Sequence, residues 1–180
     1  MNEARPGHLE IIGETAAKLL LFQKGWNPYS RFLDVDKVDL ILRRNLKNKT
    51  EYREIQVKYR RLFENKIDRW DGKLFSATAW YNADQDEFAA HRPGFYILFV
   101  FGYPDKRIEK DVLLFPSAEF HEIIKKSPPI KGGNKRVLYI SKAREGAGWY
   151  IWLSRRKFSH IDPSTCQDVS KYLNNYDSLN

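Results

Sequence analysis

Cysteine is almost missing from this 180-residue chain. Cys166 stands alone, so neither a disulfide nor a thiolate zinc site can form within one chain, and a reducing compartment fits best. Long apolar runs are missing too. The longest, residues 95–101, has seven residues, against the roughly 20 that a membrane-spanning helix needs, so no membrane partner is expected. The opening Met1-Asn2-Glu3-Ala4-Arg5-Pro6 lacks the basic-then-apolar pattern of a secretory signal, which points to the cytoplasm. No internal repeat, low-complexity tract or long linker divides the sequence, and residues 1–180 read as a single domain.

Aromatic residues and basic charge are plentiful. Hydrophobic residues make up 42% and aromatics 14%, too apolar for a disordered basic tail, so a packed core is expected. The net charge of +8 is unevenly placed: residues 43–73 carry +6 and residues 125–160 carry +9, leaving −7 for the rest. Both basic segments are interleaved with aromatics, as phosphate binding and base stacking require. Charge alone leaves an anionic protein or lipid surface equally open.

Apolar spacing and stop signals predict a helix over residues 8–24, with Leu9, Ile12, Ala16, Leu19 and Leu20 as its apolar stripe and Gly25 ending it. Alternation at Val38, Leu40 and Leu42, a polar turn over 43–50, and a second alternating run over 52–59 predict a β-hairpin with a long basic tip. Residues 62–92 read as loop with short elements. The unbroken apolar run 95–101, set between Pro93-Gly94 and Gly102, reads as a buried central strand. Then follow a strand at 111–115, a helix over 117–126, strands at 136–140 and 149–153, and a C-terminal helix opened by Asp162-Pro163. This order predicts an α/β fold, a mixed central sheet covered by helices, not a bundle or a sandwich.

Side chains alternate across a strand, so Glu54, Gln56 and Lys58 share one side while Ile55, Val57 and Tyr59 share the other. With the apolar sides of both hairpin strands on one core, Asp39, Gln56 and Lys58 share the opposite face. An acid, an amide oxygen and an ammonium group suit the joint holding of a divalent cation and a phosphate: the oxygens as hard ligands, the lysine to orient or activate water and offset negative charge. Plainer readings stand beside this one. Glu14 lies opposite the expected apolar stripe and can pair with Lys18. Glu54 is a surrogate carboxylate or a surface partner of Arg43. Asp84, Asp86 and Glu87 form an acidic loop, most simply solvated. His91, His121 and His160 lack ligand spacing, and Gly132-Gly133-Asn134-Lys135 reads as a turn rather than a phosphate loop.

Gly13-Glu14 on the first helix, Gly25-Trp26, Val38-Asp39-Leu40 and Ile55-Gln56-Val57-Lys58 together resemble the PD-(D/E)xK nuclease superfamily, which includes restriction endonucleases and Holliday-junction resolvases. The resemblance covers roughly the first hundred residues, with the motif-bearing core at about 8–102 and further strands and a helix over 103–180. It implies a restriction-endonuclease-like α-β-β-β-α-β core, dependence on Mg²⁺ with Mn²⁺ as a substitute, and hydrolysis of phosphodiester bonds in duplex or branched DNA. On that likeness Asp39 is the central metal ligand, Gln56 fills the second acidic position and Lys58 is the catalytic lysine. Glu14 is the helix-borne carboxylate, and the Val57 backbone carbonyl is a further ligand. Val38 replaces the name-giving proline. Gln56 removes one negative charge, which leaves one-metal and two-metal chemistry open. Phosphates would be tracked by Arg43, Arg44, Lys47 and Lys49 at the hairpin tip, by Arg60 and Arg61, and by Arg155, Arg156 and Lys157. Cutting both strands would favour a homodimer. The alternatives are a nucleic-acid-binding module that has lost turnover and a basic domain that docks on a protein.

Overall fold

The computed structural model describes residues 6–30, 37–84, 93–105, 107–127, 129, 133–152 and 166–180. It begins with helix α1 (Pro6–Gln23), followed by strands β1 (Asn27–Ser30), β2 (Leu40–Asn45), β3 (Thr50–Arg61) and β4 (Phe63–Glu64). A short helix α2 (Trp70–Leu74) leads into β5 (Phe75–Asp84), β6 (Phe95–Gly102) and β7 (Ile108–Pro116). Helix α3 (Ser117–Lys126), strands β8 (Lys135–Ala143), β9 (Trp149–Trp152) and β10 (Cys166–Asp168), and two 3-10 turns (Ser170–Tyr172, Tyr176–Leu179) complete it. No helix among the described residues is long and apolar enough to cross a membrane.

The fold is α/β with a mixed sheet in the order β1-β2-β3-β6-β7, in which β3 and β6 run parallel and the other neighbours antiparallel. Strand β6 lies between β3 and β7 and is buried along its whole length, as an unbroken apolar run demands when both faces of a strand are covered. One face is covered by α1, which shares an apolar cluster with Leu40, Leu42, Ile55, Leu98, Val100, Val112 and Leu114.

The other face is not covered by helices alone. A second, antiparallel five-stranded sheet, β10-β9-β8-β5-β4, packs on it, so the expectation of a lone sheet without sandwich packing is corrected. Phe101 stacks on Trp149 with ring centroids 4.7 Å apart, and Tyr81 meets Phe99 edge-on at 5.3 Å. Helix α3 adds Phe120, Ile123 and Ile124 to this core. The segment expected as loop holds β5, which buries Ala77, Ala79, Tyr81 and Ala83 on alternate positions. Its alternation is carried by alanine, which signals burial weakly. Residues 166–180 form a strand and 3-10 turns instead of the expected helix, whose start at Asp162-Pro163 lies outside the described residues.

Helix α1 buries Gly13, Ala17 and Leu21, with Ile12 and Leu19 left exposed. The expected apolar stripe is therefore rotated, because small residues rather than large ones meet the sheet. A Cβ on Gly13 would lie 2.6 Å from Cβ of Tyr59, so glycine permits the close approach of α1 to β3. The same tyrosine lays its hydroxyl over Gly102, filling the space that a Cβ there would need. Gly25 ends the helix in the left-handed conformation (φ 82°), and the Trp26 N–H donates to the Leu21 carbonyl at 3.2 Å.

Candidate functional site

Strand β2 begins at Leu40, opposite Ile55, whereas β3 runs on to Arg61. Among the described residues, positions 56–61 of β3 therefore have no strand beside them on the β2 side, and a cleft of about 730 Å³ opens there. Helix α1 contributes Leu9, Glu10 and Glu14; the turn before β2 contributes Lys37 and Asp39; β3 contributes residues 56–61. The second sheet closes the rim with Phe63, Trp80 and Asn82.

Asp39 stands just before β2, where the regular ladder has ended. Its N–H donates to the carbonyl of Ile55, the residue opposite Leu40, at 3.0 Å. Its carboxylate Oδ2 accepts the Val57 N–H at 2.6 Å, in the place that a strand carbonyl would take. A residue's N–H and C=O point to the same side of a strand, so the Val57 carbonyl also faces the side from which Asp39 approaches. Val38 does not share the core of Leu40 and Leu42 but packs between the sheets, because the regular alternation starts only at Leu40.

On β3, Gln56 lies beside Ile97 and Lys58 beside Phe99 in parallel register, on the side of the inter-sheet core. Gln56 is 3% exposed and Lys58 is half-buried. The Arg60 guanidinium stands over the Tyr81 ring at 4.5 Å, which fixes it between the two sheets. Burial pushes the Tyr59 hydroxyl above its usual pKa. Thus Glu14, Asp39, Gln56, Val57 and Lys58 come together in one cleft, with Arg60 and Arg61 beside them.

The hairpin tip lies elsewhere. Lys49, in the turn just before β3, is nine residues from Lys58, roughly 30 Å at the rise of an extended strand. Its basic groups are engaged locally: Glu51 receives Lys49 at 2.6 Å and Arg44 at 2.8 Å. Those two hydrogen bonds hold the Glu51 carboxyl at a pKa of about 2. Arg44 also stacks on Trp26 at 4.3 Å. Arg43 pairs with Asn27 and Tyr52 across the sheet, and Lys47 is exposed at the tip. Glu54 lies opposite Ile41, outside the cleft lining. Arg155, Arg156 and Lys157 lie outside the described residues, as do Asp86, Glu87, His91, His160 and Gly132. His121 is buried on α3, remote in sequence from every lining residue.

Sequence reasoning passed over Glu10, Lys37, Trp80 and Asn82. Glu10 was within reach, one helical turn before Glu14. Lys37 stands two residues before Asp39, whereas Trp80 and Asn82 depend on how β5 and the second sheet pack. As cation donors, Glu14, Asp39, the Gln56 amide and the Val57 carbonyl are all hard oxygens, the set that Mg²⁺ and Mn²⁺ prefer. Among the described residues no three His, Cys, Asp or Glu side chains cluster as a metal-holding group, so any such site leans on amide and backbone oxygen.

The fold and cleft define an α/β protein with an oxygen-rich, cation-lined notch at the open end of a mixed sheet. Compared with known proteins, the chain matches no family model, no curated protein and no solved structure.

Proposed function

We propose that the protein is a Mg²⁺-dependent DNA endonuclease on a restriction-endonuclease-like core. The observation that carries this reading is the meeting of Glu14, Asp39, Gln56 and Lys58, from a helix, a turn and a strand, in one cleft also lined by Lys37, Arg60 and Arg61. The order α1, β1, β2, β3 and then a parallel β6 agrees with the core that the resemblance implies. The region where that core has a helix holds the five-residue α2 and the strand β5 instead.

Glu14, Asp39, Gln56 and the Val57 carbonyl would hold the cation, which supplies Lewis-acid activation of water and charge neutralisation at the phosphate. Lys58, on the same side of β3 as Gln56, orients the attacking water and offsets the charge that grows on the phosphoryl oxygens. Lys37, Arg60 and Arg61 hold the neighbouring phosphates. Asp39 also fixes the Val57 backbone through its 2.6 Å hydrogen bond, which orders the strand edge before substrate arrives.

Plasmid and branched DNA incubated with Mg²⁺ or Mn²⁺ test the proposal. Nicking is expected, abolished by chelator and reduced at least about 100-fold by Lys58→Ala. Cleavage by Lys58→Ala at the wild-type rate would sink the site assignment. A second reading, a nucleic-acid-binding module without turnover, draws on Gln56 in the acidic position and on the lack of a three-carboxylate cluster among the described residues. It requires salt-sensitive DNA binding with no nicking under any of these conditions.

A further inference from the structure

Phe63 on β4 and Trp80 on β5 stack face to face at the rim of the cleft, with ring centroids 4.9 Å apart and planes inclined by 15°. Large aromatic rings normally go to the core. Here the inward positions of β5 hold Ala79 and Tyr81, while Trp80 stays 51% exposed and Phe63 38%. Both line the same cleft as Lys58 and Arg61, and Asn82 follows Trp80 on the same side of β5.

We infer that the Phe63–Trp80 pair is a stacking platform for an unpaired nucleobase, so that the cleft takes nucleic acid with a single-stranded or flapped segment rather than continuous duplex. The inference rests on the nucleic-acid reading of the cleft. Three observations meet in it. The aromatic surface is flat, already ordered and open to solvent, so little conformational freedom is lost when a base lies on it. The flanking cations fit the phosphates on either side of such a base. The Asn82 amide offers a donor and an acceptor, which suits the edge of a base that has lost its pairing partner. In duplex DNA the base faces are covered by their neighbours, and this surface gains nothing from them.

A plainer role for the pair is to pin the two-residue strand β4 onto β5, and the test separates the two. Fluorescence anisotropy is measured in chelator, so binding is read without cleavage, with three labelled probes of equal length: twelve thymidines, the same backbone made wholly abasic, and a 12-base-pair duplex. The wild type is expected to prefer thymidine over abasic backbone. Trp80→Ala should weaken the thymidine probe by about 5- to 100-fold, the effect of losing one base–aromatic stack, and leave the abasic probe and duplex within about twofold. Trp80→Phe should restore most of the loss. Equal weakening of all three probes, no weakening at all, or no binding of any probe by the wild type overturns the inference. Because no metal is present, a protein that discriminates the probes but never nicks DNA keeps the platform and loses the nuclease reading. One that nicks DNA but ignores Trp80→Ala does the reverse.

Discussion

Gln56 lines the same cleft as Asp39 and is 3% exposed, so the presence or absence of a charge at position 56 bears directly on what the cleft can hold. As an amide it offers one oxygen and carries no charge when no cation is present. A glutamate there would place a second carboxylate near Asp39, where burial and like charge both disfavour ionisation. Gln56→Glu is nearly isosteric and separates charge from shape. Without divalent cations it is expected to destabilise the protein by about 1–3 kcal/mol. With Mn²⁺ the deficit should shrink, and Mn²⁺ should bind on the order of tenfold more tightly, because carboxylate count sets the affinity of oxygen-ligand sites. Thermal melting with and without Mn²⁺, together with calorimetric titration, checks both. Unchanged Mn²⁺ affinity would place the cation away from position 56.

Helix α1 meets β3 through glycine, and that contact sets where Glu14 sits. Gly13→Ala puts a methyl group 2.6 Å from Cβ of Tyr59. Tyr59 cannot yield, because its hydroxyl is seated over Gly102. The helix must move outward, at about 1–3 kcal/mol for overpacking, less about 1 kcal/mol gained from replacing glycine in a helix. Gly7→Ala is the control, since nothing lies within 4 Å of its added Cβ; it should be neutral or mildly stabilising. Urea denaturation of both variants measures the difference. If Gly13→Ala is as harmless as Gly7→Ala, the close approach does not position the helix. The same helix marks a limit of sequence reading. The helix, the hairpin and the buried strand are legible because periodicity and stop signals such as Gly25 are local. The helix's inner face is not, because Ala17 and Gly13 carry little hydrophobicity and Ile12 and Leu19 carry much. Gln56 and Lys58 could be placed on a shared side by alternation alone, whereas the premise that put Asp39 with them, Val38 on the core of Leu40 and Leu42, fails in the structure. The approach of Glu14 to them, and of Trp80 from the second sheet, depends on packing between elements far apart in the chain.

At the scale of the whole molecule, the nucleic-acid reading leaves the hairpin tip and the cleft to be compared, among the described residues, as the path for phosphates. The hairpin tip is rich in cations, yet Arg44 and Lys49 share the carboxylate of Glu51, and chain length sets Lys49 roughly 30 Å from Lys58. The cleft holds Lys37, Lys58, Arg60 and Arg61 within one concavity, where the attraction of several cations sums over a short stretch of backbone. An eight-nucleotide single strand bound in the cleft need not reach the tip. For single strands, the slope of log affinity against log salt falls by about 0.7 for each phosphate that the protein no longer neutralises. Lys37→Ala and Arg61→Ala should each lower the slope for such a probe by about that amount, whereas Lys47→Ala and Lys49→Ala should leave it unchanged. With a 30-nucleotide probe, a slope change for the tip variants would show that longer strands extend along β3 to the hairpin. A slope change with the short probe would instead place the binding path on the hairpin and detach it from the cleft that holds Asp39 and Lys58.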